Sequence, residues 1–89
     1  MPYISKEDRQ IYAKEITALT QKLGSLSEAD LAGHLNYCFS KIAFTLLDNK
    51  RRYVRANTIN GVFVSAQQEF YRRKVLPYEN EKIEENGDI

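Results

Sequence analysis

The chain has 89 residues, 43% of them hydrophobic and 28% charged, with a formal net charge of +1, one cysteine and one histidine. That length supports one small domain, which buries only roughly 60–65% of its unfolded surface and so draws little stability from a single core. Cys38 alone excludes a disulfide framework, and Cys38 with His34 offers too few ligands for zinc. No apolar run or signal peptide occurs, which predicts a soluble cytoplasmic protein with a reduced thiol and no membrane partner.

The small net charge hides a segregated pattern: residues 1–40 carry −1, residues 41–74 carry +6 and residues 75–89 carry −4. A middle of +6 is modest for a duplex DNA binder, whose affinity rests on neutralising many phosphates, and suits a compact anion such as a nucleotide.

Ser5 followed by Glu7 and Asp8 is a helix start signal. Tyr12, Ile16, Leu19 and Leu23 then recur at helical spacing up to Gly24, predicting a first helix over residues 6–23. Ser27-Glu28-Ala29-Asp30 resembles a capping box and opens a second helix with the stripe Leu31, Leu35, Cys38, Phe39, Ile42 and Leu46. Gly33, Tyr37 and Phe44 lie opposite, so this helix is apolar on two sides. Residues 51–55 read as a connection or a first helical turn, and Asn57 or Thr58 is the expected cap of a third helix running to about Leu76. That helix carries Ile59, Val62, Phe63, Ala66 and Phe70 on one stripe and Val64, Tyr71 and Val75 on another. Pro77, lacking an amide donor, is expected to stop or kink it, with at most one more helical turn before Asn86-Gly87.

The expected class is therefore all-α, a three-helix domain of antiparallel helices over residues 1–78 with a short acidic C-terminal tail over residues 79–89. The surplus stripes ending in Tyr37, Phe44, Val64, Tyr71 and Val75 predict a homo-oligomer, at least a dimer. Gly33 and Gly61 fall inside helices, where glycine is unfavourable, and suggest close approach of a neighbouring backbone, most of all at Gly33.

Arg72, Arg73 and Lys74 suit the negative end of a helix, and Glu69 can pair with both arginines from one turn away, which accounts for the run without a ligand. The alternative adds Tyr71 and Tyr78: guanidinium forks bind phosphate bidentately while tyrosine rings stack on bases. Arg51 and Arg52 form a second basic cluster, about 28 Å away along a helix, so the two could share a ligand only across an interface between copies. Asn36 and Tyr37 add hydrogen-bonding groups on the second helix. No nucleophile and base can be paired, so no catalytic residue, metal or cofactor is expected. Glu81, Glu84, Glu85 and Asp88 share one side of a helix and leave open a metal-dependent nucleotide hydrolase.

Tyr3-Ile4 after Met1-Pro2, with Glu7-Asp8-Arg9, Gly33-His34-Leu35-Asn36-Tyr37, Gly61, Glu69-Phe70-Tyr71-Arg72-Arg73, Pro77-Tyr78-Glu79, Lys82-Ile83 and Glu84-Glu85-Asn86-Gly87-Asp88, resembles a small family of uncharacterised proteins from bacteria, archaea and tailed phages. That family usually has Glu where this chain has His34. The resemblance spans nearly the whole chain and implies a cytosolic helical protein without supplying catalytic residues. By analogy with small phage proteins that sequester cyclic or ADP-ribose-derived immune signals, acting in the host cytoplasm, the expected function is a non-enzymatic, homo-oligomeric nucleotide-binding protein with its ligand at a subunit interface. The rival readings are a protein-interaction scaffold and the metal-dependent hydrolase.

Overall fold

Short-range signals set the first helical boundaries. In the computed structural model, which describes residues 3–89, the Ser5 hydroxyl accepts the Asp8 amide at 3.1 Å and opens α1, Lys6–Arg9. Met1 and Pro2 of the opening motif lie outside the described residues. Ser27 does the same for the Asp30 amide at 3.3 Å and opens α3, Glu28–Asn49. Between them lies α2, Ala13–Gly24, which ends at the expected glycine.

The single first helix expected from the sequence is divided. Gln10, Ile11, Tyr12 and Ala13 donate to the carbonyls of Glu7, Asp8, Arg9 and Gln10, three residues back, at 3.2–3.4 Å. This tighter winding separates α1 from α2. No proline or glycine marks it, so the sequence gives no warning.

The chain falls into two compact units that meet at Arg51 and Arg52. The first contains the α2–α3 hairpin, in which Leu19, Leu23, Leu31, Leu35 and Cys38 are half-buried. With 12 residues, α2 is about 18 Å long, against about 33 Å for the 22 residues of α3. The shorter helix cannot cover the longer, and Phe39, Ile42, Phe44 and Leu46 remain exposed.

The second unit, Arg52–Ile89, is one helical run. It consists of α4, Tyr53–Phe70, a wide π turn, Tyr71–Val75, and α5, Leu76–Asn86, a length of about 50 Å. It starts earlier than expected: Arg52 is the extended residue before the first turn, and Asn57 and Thr58 lie inside the helix.

Nor does Pro77 stop it. The Leu76 amide donates to the Tyr71 carbonyl, five residues back, and Pro77 sits in the first turn of α5, where its missing amide is tolerated. The acidic segment is therefore helical to Asn86, well beyond the single turn expected, and Gly87, at φ +86°, closes it by donating to the Ile83 carbonyl at 2.7 Å.

The charges on this helix oppose its dipole. Lys50, Arg51 and Arg52 precede its start with no acid in the first turn, and Glu84 and Glu85 occupy its end with no base in the last. Each misplaced charge is worth about 0.3–1 kcal/mol at low ionic strength. The two internal glycines also differ from expectation. Within its own unit, a Cβ added to Gly33 or Gly61 would meet nothing within 4 Å among the described residues.

All described residues remain at least partly accessible, and the class is all-helical. Removing the Ser27 cap should lower stability by about 0.5–2 kcal/mol. Thermal melts of Ser27→Ala, with Ser27→Asp as the control that restores a capping oxygen, check this.

Candidate functional site

The Phe70–Glu79 stretch gathers the densest polar contacts of the second unit, and the π turn explains why. In an α-helix, residues 71 and 79 would lie about 80° apart around the axis. One extra residue in the wide turn brings them onto one face, two turns apart. The Tyr71 hydroxyl there donates to Glu79 Oε2 at 2.7 Å. That hydrogen bond, reinforced by the negative charge of Glu79 and some desolvation, raises the phenol above its ordinary pKa of 10.0.

One turn earlier, Glu69 Oε1 accepts from Arg72 Nη2 at 2.7 Å and from Arg73 Nη1 at 3.5 Å. The expected i+3 and i+4 pairing is thus present. One carboxylate oxygen nevertheless serves two guanidinium groups whose side chains are 66% and 60% exposed. Arg73 and Lys74 border an open groove of about 340 Å³ with Ala66, Glu69 and Phe70. Further along, Lys82 Nζ lies 5.4 Å from the Tyr78 ring centroid and donates to Glu85 at 3.3 Å.

The residues singled out from sequence divide between the units. Asn36, Tyr37 and Arg51 belong to the hairpin unit, and Arg52, Tyr71, Arg72, Arg73 and Tyr78 to the long helix. All are exposed. Tyr37 borders an apolar groove of about 470 Å³ with Leu19, Leu23, Gly33, His34 and Cys38, while Asn36 is not among its walls. Along the helix, Arg52 lies about 30 Å from Arg72, so these two do not share a pocket within one copy. Tyr71, Arg72 and Arg73 are consecutive and stay together.

Sequence reasoning missed Glu79 as the partner of Tyr71 and Lys82 as the cation over Tyr78. The second is an ordinary i+4 relation; the first appears only once the π turn is known. Among the described residues, no group of three His, Cys, Asp or Glu side chains is placed to hold a metal ion. Asp88 lies past the end of α5, off the helical row expected for the acids. No helix among the described residues is long and apolar enough to cross a membrane.

With its folded pKa raised, the Tyr71 phenol keeps its proton, and its bond to Glu79, through pH 10.0, losing both as pH rises through the higher value. Glu79→Gln should bring the Tyr71 titration back toward 10.0. Difference ultraviolet titrations against Tyr71→Phe, in both backgrounds, measure it; an unchanged Tyr71 titration would show that Glu79 is not the cause.

Neither the curated proteins nor the solved structures contain a match to this chain. A family pattern does match, over residues 1–89. The chain belongs to the family described as a domain of unknown function, DUF6899.

Proposed function

We propose that this chain is a non-catalytic binding protein that completes its core by self-association and holds a nucleotide-derived anion at the interface between copies. The observation that carries this reading is that no described residue is buried. Large apolar side chains are among the exposed ones, with Phe44 68% and Tyr37 64% exposed.

The anion reading rests on the 69–74 segment, which has three consecutive cations, one acid and the exposed Tyr71, with exposed Tyr78 four residues beyond it. Glu69 leaves most of the N–H donors of two guanidinium forks available for a phosphate. Tyr78 offers a ring to a base, with Lys82 as its present neighbour. In its sharpest form the function is a sponge, which removes a signalling nucleotide by binding without turnover. A protein-interaction scaffold is the second reading, favoured by the same Glu69 contacts, since they satisfy part of the basic run internally.

Sedimentation equilibrium tests the assembly: a dimer or higher species that persists at low micromolar concentration is expected, and a monomer throughout would refute it. Thermal shift against cyclic dinucleotides and ADP-ribose derivatives tests the ligand. Saturation at a hundredfold over Kd adds about 2.7 kcal/mol, which for a chain of this length raises Tm by more than about 10 °C. That shift should vanish in Arg72→Ala/Arg73→Ala. No shift with any anionic nucleotide would remove the ligand half of the proposal and favour the scaffold.

A further inference from the structure

The wide turn lines up a row of side chains that regular helical spacing would scatter. Phe70 and Lys74 border the same open groove, and Lys82 lies over the Tyr78 ring at 5.4 Å from its centroid. Both are aromatic–cation pairs one turn apart, and Lys74 stands one further turn before Tyr78. In a regular α-helix Phe70 and Tyr78 would differ by about 80° around the axis. The extra residue that sets Glu79 in line with Tyr71 also sets Tyr78 in line with Phe70, because both pairs span the same turn at the same separation. Phe70, Lys74, Tyr78 and Lys82 thus run along one face for about 18 Å, aromatic and cation in alternation.

Phe70 and Tyr78 are both more than half exposed. Lys74 is exposed too, and it makes no hydrogen bond or ion pair among the described residues. Arg73 borders the groove beside it. The order of these groups selects a ligand. A base stacks at van der Waals separation, about 3.5–4 Å. The two rings are about 12 Å apart along the axis, so one base cannot serve both. A dinucleotide carries a base at each end and phosphate between them, which is the order ring, cation, ring. A long strand fits less well. Before Phe70 no cation occurs from Ala56 to Gln68, and after Tyr78 come Glu79, Glu81, Glu84 and Glu85 against Lys82 alone. Further phosphates would meet no counter-charge on one side and repulsion on the other.

We infer that the face from Phe70 to Lys82 binds a dinucleotide, with one base on Phe70, the other on Tyr78 and the phosphate between them on Arg73 and Lys74. The inference rests on the anion reading proposed above and names its ligand class: two bases joined through phosphate, rather than a mononucleotide or a strand. It does not depend on the self-association. Stacking is tolerant of base identity, because every base has a π-face, so adenine serves as the probe on both rings.

Calorimetry with diadenosine diphosphate and with adenosine monophosphate, which carries a similar charge, isolates the second ring. The dinucleotide should bind about tenfold more tightly or better. Tyr78→Leu should bring its affinity down to that of the monophosphate, whereas Lys74→Ala should weaken both, with helicity unchanged by circular dichroism. A second measurement uses the absence of tryptophan from the chain. Phe70→Trp and Tyr78→Trp each place a single fluorescent reporter at one end of the row, and the dinucleotide should quench both with the same midpoint. Equal affinity for the two nucleotides, or quenching at one reporter only, would overturn the inference and leave the anion reading standing. Tighter binding per base to a polyadenylate strand would overturn it too, by making the ligand a strand. If neither nucleotide nor the strand binds, the anion reading itself fails and the inference goes with it.

Discussion

An α-helix satisfies its own backbone but buries almost none of its own side chains, and this constraint governs the chain. About 50 Å of helix from Tyr53 to Asn86 presents apolar residues along its length and forms a unit by itself. The hairpin unit has the same difficulty in a milder form, because α2 is too short to cover α3. Leucines at the hairpin contact are half-buried, while Phe39, Ile42 and Phe44 are not. Helices of this kind take most of their stability from tertiary packing rather than propensity. In the self-association proposed above, a partner surface links the exposed stripes with the proposed ligand site.

Pro77 explains the irregular part of the long helix. A proline in a regular helix loses one hydrogen bond and clashes with the carbonyl four residues back. Widening the preceding turn to five-residue bonding removes that conflict while the helix continues. It also rotates everything downstream by about 100°, one residue's worth. Leu76 and Ile83 consequently fall in line with Val64 and Tyr71, and Glu79 comes under the Tyr71 hydroxyl. A feature that looks like a stop signal in the sequence serves here to realign two stretches of side chains.

Much of the fold was legible where its cause is local. Ser5 and Ser27 cap, Gly24 ends a helix and Asn86-Gly87 ends another, because each acts on amides or carbonyls within four residues. The Glu69 pairs were legible for the same reason. The start at Tyr53 was not, since Arg52 caps without a side-chain bond and the better capping residues, Asn57 and Thr58, lie inside the helix. The tight turn at residues 10–12 has no breaker to announce it. Tyr71 and Glu79 seemed unrelated because the usual helical arithmetic puts them on different faces. The expectation at Gly33 and Gly61 depended on what lies across from them, and within their own units no described atom comes within 4 Å of an added Cβ.

Glu69 has one further consequence. Its carboxylate is tethered beside Arg72 and Arg73 and so acts as a built-in competitor, present at an effective concentration of about millimolar or more. Chloride, acetate and other singly charged solutes must displace an anion that never diffuses away. For the anion-binding role proposed above, a polyphosphate has the advantage of engaging both guanidinium groups at once. Under the proposed function, the acid that neutralises part of the site acts as a filter for ligand valence, favouring multiply charged anions over singly charged ones.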